Sequence, residues 1–172
     1  MSYHKQFLFA FSCVERIISF FKDYELYNDK SLIDKVENIL SENISLDNFN
    51  NIKTLISNGN IKELESLIPD TDDDGSNNAV LAQNAIICLV YCIDFIKNNN
   101  VEFILYCSQK VIETIDTIAL GIMNLDDSNE LINKEIDIQN EFIVKIVSFS
   151  KDFNQVEQDE YKSMIKSYKV KF

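Results

Sequence analysis

One proline, three glycines, one histidine, one arginine and no tryptophan occur in 172 residues. Proline and glycine average about 5% and 7% in globular chains, so their scarcity excludes a fold rich in tight turns and bulges and predicts long helices. A lone histidine, His4, leaves Ser-His-Asp or Cys-His catalysis a single base at a chain end that tends to fray. With 16 basic against 28 acidic residues the formal charge is −12, and no basic cluster exists to neutralise a row of phosphates. Nucleic acid and anionic membrane surfaces are therefore not expected partners. Glycine-rich phosphate cradles and the Glu-x-x-His pairs of di-iron bundles are missing, and no cofactor is called for.

The four cysteines, Cys13, Cys88, Cys92 and Cys107, show no C-x-x-C spacing. Most lie in apolar helical runs, where a thiol behaves as a small hydrophobe, so free buried cysteines and no metal or disulfide are expected. No run reaches the ~18 uninterrupted apolar residues of a membrane span; Ala85 to Ile93 comes nearest. Lys5 followed by Phe7 to Val14 imitates a signal peptide, but Glu15 and Arg16 interrupt it and the helical period continues beyond them. The expected location is the cytoplasm.

What is present is helical periodicity. Phe7, Phe11, Val14, Ile18 and Phe21 line one face of a first helix over about 3–26, widened by Ala10, Cys13, Ile17 and Tyr24. Shorter amphipathic pieces follow: Leu32, Val36, Ile39 and Leu40 after Asp29 or Ser31, then Phe49, Ile52, Leu55 and Ile56 after Ser45, stopped by Gly59. Asn60 with Glu63 reads as a capping box for a short helix that Pro69 closes. After an acidic loop, Pro69 to Ser76, comes the most apolar element, about 79–97, with a narrow polar strip at Gln83 and Asp94 plus an isolated Asn84. It is the expected central helix. Ile104, Val111, Ile115, Ile118, Ile122 and Leu125 form the next seam, and Ser128 caps a helix carrying Ile132, Ile136, Ile143, Ile146 and Val147. A charged terminal helix has Val156, Tyr161, Ile165 and Tyr168. This predicts one all-α domain over 1–172, an up-and-down bundle of seven or eight helices around the central one.

Arg16 sits at the edge of the first apolar face, where a permanent charge must meet a carboxylate, an anion or water. The expected arrangement is a bidentate pair with Asp72, Asp94 or Asp116; a small-anion contact is the alternative. Asp70, Asp72 and Asp74 before Gly75 form the first half of the calcium pattern D-x-D-x-D-G, but Leu81 stands where a bidentate glutamate completes the cage. The loop is expected to cap the central helix and pair with Arg16, with cation binding as the alternative.

Phe9-Ala10-Phe11-Ser12-Cys13-Val14-Glu15-Arg16, followed by Tyr24, resembles the opening signature of the YjaG-like family of uncharacterised bacterial proteins (domain of unknown function 416). Pro69-Asp70-Thr71-Asp72 before a very apolar helix, and Thr114-Ile115-Asp116 in the helix after it, extend the resemblance to about residue 150. Ile18, Ser19 and Phe20 stand where relatives often carry a Pro-Asn pair. The resemblance implies a helical fold and a bacterial cytosolic setting, with Glu15, Arg16 and Tyr24 as its marked residues, and no activity. The residues themselves point to a non-enzymatic module that works by contact with a basic protein or with its own copy, an immunity-type inhibitor being the sharper form. A divalent-cation or small-anion binder using Arg16 and the Asp70–Asp74 loop is the competing class.

Overall fold

A computed structural model describes residues 1–24, 31–45, 52 and 58–171. Among these the elements are α1 (Tyr3–Asp23), α2 (Ser31–Glu42), α3 (Asn58–Ser66), α4 (Asn77–Asn98), α5 (Glu102–Thr117) running on into a π turn (Ile118–Ile122), α6 (Asn129–Ser148) and α7 (Gln155–Ser167). None of the described residues is in a strand. The all-α bundle expected from the periodicity is the observed fold. Ile52 is helical and buried, whereas Asp29, Phe49, Leu55 and Ile56 lie outside the described residues. Gly59 and Asn60 both fall inside α3, so Gly59 is not a stop and Asn60 is not a cap there.

The centre is α4, packed against α1, α3 and α5, while α5 also meets α1 and α6. Its apolar residues are distributed round most of the helix, and those from Ala79 to Ile96 are almost all buried. Each large aliphatic side chain removed from water there contributes about 1.5–3 kcal/mol. By length and composition this helix could cross a membrane, and 72% of its most apolar window is buried inside the bundle. Ser76 starts it, its Oγ accepting the Ala79 N–H at 3.2 Å, and Asn99 in the left-handed conformation (φ 53°) ends it by donating its N–H to the Phe95 carbonyl. Serine, not the loop aspartates, is thus the cap.

The α5 seam does not run straight to its end. At Ile118 the hydrogen bonds lengthen their span, Met123 N–H reaching the Ile118 carbonyl at 2.8 Å, which is the π-type widening often found where a helix must re-aim its side chains. Gly121 in this turn accepts from Asn77 Nδ2 at 2.6 Å. A Cβ there would lie 2.5–2.8 Å from the amide group of the exposed Asn77 side chain, which would have to swing aside and give up this hydrogen bond.

α6 is rotated from the expected orientation: Ile146 is buried and Ile143 packs against the core as expected, but the centre of the inward face has moved to a polar pair. Its buried residues are Glu135, Gln139, Phe142 and Ile146, spaced as one helical seam, while Ile136 and Val147 are 41% and 51% exposed and Val144 is 71% exposed. Ser128 sits at its N-cap position without capping it: its hydroxyl donates to Asp116 Oδ1 at 2.5 Å. In α7 a capping box formed by Asn154 and Glu157 sets the start; Tyr161 and Ile165 point inward, and Val156 faces solvent.

Candidate functional site

Arg16 is 2% exposed, and each of its three guanidinium nitrogens donates a hydrogen bond. Nη1 and Nη2 donate to the two carboxylate oxygens of Glu135 at 2.7 and 2.5 Å, and Nε donates to the Tyr168 carbonyl at 2.8 Å. The bidentate geometry expected for a semi-buried arginine is present, but the acid is Glu135 of α6 and not Asp72, Asp94 or Asp116. The wheel position of Arg16 explains the difference: it faces α6 and the C-terminal tail, and the aspartates named from sequence lie elsewhere. Phe142 packs its ring 5.5 Å from the guanidinium carbon. Gln139, one turn after Glu135, donates to Glu135 Oε1 at 2.9 Å and to the Ser108 carbonyl at 3.3 Å, while its own Oε1 accepts from Ser108 Oγ. The Val170 N–H closes on the Arg16 carbonyl at 3.0 Å. One buried polar network thereby ties α1, α5, α6 and the tail.

The other marked residues are distributed differently. Tyr24, buried at the end of α1, donates its hydroxyl to Asp74 Oδ2 at 2.5 Å. That hydrogen bond, with those from Ser76, holds the Asp74 carboxyl below its ordinary range. Asp70 Oδ1 accepts the Asp72 N–H at 2.9 Å and Asp74 Oδ1 the Ser76 N–H at 3.0 Å, the local bonds that short acidic side chains make in turns. The loop is therefore pinned to α1 through Tyr24, with Arg16 occupied elsewhere. No three His, Cys, Asp or Glu residues gather as a metal-holding group among the described residues. Asp116 serves Ser128. Asp94 is half-buried near Glu65, and burial first, then that like charge, raises its carboxyl.

Glu15 adjoins Arg16 in sequence and points away from it. Its Oε1 is buried without a donor in reach, and burial followed by the nearby Glu37 carboxyl pushes it up to about 7, against the opposing pull of Lys169 and Lys22. Glu37 itself, with Asp34, holds Lys22 Nζ at 2.7 and 2.8 Å. His4 does not fray: it is buried in α1, its Nε2–H on the Ile44 carbonyl and its ring edge-on to Phe153, and burial lowers its basicity. All four cysteines are free and buried; burial pushes the thiols of Cys13, Cys92 and Cys107 well up, away from the reactive thiolate.

The network floors a cavity of about 660 Å³ between the π turn, α6 and the tail; its walls include Ile118, Ile122, Leu131 and Ile138, and Lys134, Lys169 and Lys171 contribute to its lining. A second cavity of about 580 Å³ shares Lys169 and Lys171 and contains Glu15. Glu135, Gln139, Ser108 and Glu37 were not among the residues expected from the sequence. The usable signal was spacing: Glu135, Gln139, Phe142 and Ile146 fall on one face, so a polar pair continues the line of two large apolar residues.

No family model and no curated protein matches the sequence. The fold is similar to that of a DUF416 family protein from Shewanella baltica OS155, with a TM-score of 0.78, 14% identity, and coverage of 97% of this chain and 90% of that one. At that identity the likeness concerns the fold.

Proposed function

We propose that the protein is a non-enzymatic cytoplasmic module of the DUF416 kind that acts by contact with a basic protein, through the outward face of α6. The observation that carries this reading is the rotation of that helix about its axis. Val144, Val147 and Ile136 are exposed while Glu135 and Gln139 are buried, so apolar side chains that could have filled a core are left for another surface. Asp137 and Glu141 adjoin Val144 around a shallow groove completed by Met164 of α7. Acidic and apolar groups interleaved on one face suit a partner carrying lysine or arginine around a hydrophobic anchor. Two copies, each at −12, would repel, which favours a basic partner over self-association. Free thiols agree with a reducing compartment, and the fold likeness agrees with the resemblance carried by Phe9 to Arg16. Arg16 is engaged inside the fold by Glu135 and Tyr168, which removes the arginine on which the small-anion alternative depended. An immunity-type inhibitor of a basic toxin is the narrower form.

The test is capture from a lysate of the source organism with wild type and with Val144→Lys/Val147→Lys, each captured protein then being purified and rebound. A basic protein that rebinds wild type in a salt-sensitive way and is lost by the variant supports the reading. Equal binding by the variant, an acidic partner, or a dimer on light scattering overturns it.

A further inference from the structure

Five of the fifteen lysines, Lys134, Lys162, Lys166, Lys169 and Lys171, border the two cavities on either side of the C-terminal tail. In a chain of net charge −12 this is a local reversal of sign. The larger cavity combines it with an apolar interior: Ile115, Ile118, Ile122 and Ile138 line it, together with Met123, which is 51% exposed. Its one carboxylate, Glu135, is already neutralised by Arg16 at 2.5–2.7 Å. Lys134 and Lys171 have no carboxylate in ion-pair range among the described residues. Ile115, Ile118 and Ile122, three and then four residues apart, present one apolar wall along the end of α5 and the π turn. A volume of about 660 Å³ lies within the ~300–1,000 Å³ of small-molecule sites, which are mostly apolar with a few placed polar groups.

We propose that this cavity takes a free single-chain amphiphilic anion, its hydrocarbon against the isoleucine wall and its carboxylate between Lys134 and Lys171. A cation of equal chain length lacks the charge match, and a neutral alcohol lacks the ion pair, so the head group sets the selectivity. This ligand site is separate from the outer face of α6, and either can stand without the other.

Dodecanoate below its micelle concentration, titrated calorimetrically into the full chain, is the probe, with dodecyltrimethylammonium and dodecanol as controls. Dodecanoate is expected to bind saturably and raise the melting temperature, as any ligand selective for the folded state does. Lys134→Glu/Lys171→Glu should weaken it roughly tenfold or more, the worth of a charged contact, and Met123→Asn, a change without charge at an exposed wall residue, should weaken all chain-bearing ligands together. Absence of saturable binding, equal binding of the ammonium compound, or unchanged affinity in the double-lysine variant overturns the proposal. Binding only to anionic vesicles, with none to monomeric dodecanoate, overturns it as well.

Discussion

α4 and α6 are both long helices rich in isoleucine and valine, and they use those residues in opposite ways. α4 buries nearly all of its side chains, with the exposed share confined to its ends and a narrow strip. α6 buries a polar pair, Glu135 and Gln139, with Phe142 and Ile146 and leaves Val144 and Val147 outside. Hydrophobicity alone ranks both faces of α6 as acceptable. What chooses between them is Arg16, because an unpaired buried guanidinium costs more than an exposed valine or two.

Breaking that choice should have the largest effect. Glu135→Leu leaves the Arg16 charge buried and alone, and the expected loss is about 3–5 kcal/mol, read by urea denaturation. Arg16→Met/Glu135→Leu should recover most of it, since an apolar pair of similar size often replaces a buried ion pair at little net cost. A double variant as unstable as the worse single one would show that the pair is not what selects the face. In α4 the corresponding cut is Leu89→Ala, expected to lose about 2–5 kcal/mol through lost burial and the cavity left behind. No second substitution nearby should restore it, because there it is shape and not charge that is matched.

The two helices also show how far the sequence could be read. The extent of α4 was legible because its apolar residues leave only one orientation question open, and none that matters when every side is covered. The turn of α6 was not, since its period marks a helix but not which half of a broad apolar sector faces the core. The guanidinium was recognisable as a group needing a bidentate carboxylate; Glu135 was not, because pairing across 119 residues depends on how helices pack and not on local pattern. The Tyr24–Asp74 contact likewise joins two residues marked separately, and only the fold brings them within 2.5 Å. Where local rules compete, as at Ser128, the hydroxyl went to Asp116 instead of the helix end.

Smaller effects separate the polar interior of α1 from that of α6. Arg16 has its acid; Glu15, beside it, has no donor for Oε1. Raised from 4.5 to about 7 in the fold, Glu15 binds its proton more tightly when folded. Its favourable contribution is therefore complete below about pH 4.5 and lost as pH rises through 7. Above that it costs on the order of 3 kcal/mol. Glu15→Gln should accordingly stabilise the protein at pH 8 and have little effect near pH 4, a trend that denaturation at several pH values would test. His4 acts in the other sense. Burial lowers its proton affinity, so the unfolded chain takes up the proton first and stability falls as pH drops through the ordinary histidine range.

The smallest effect on stability belongs to the exposed side of α6, and that smallness is informative. Val144 is 71% exposed, so Val144→Lys should change stability by no more than about 0.5 kcal/mol. A destabilisation of about 2 kcal/mol or more would mean that this face is packed against something within the chain and that the helix is not rotated as described. With stability unchanged, a role for the residue can reside only in contact with another molecule. The same substitution that is silent in a melting curve should then be the one that abolishes partner binding, because it puts a cation where a basic partner brings its own.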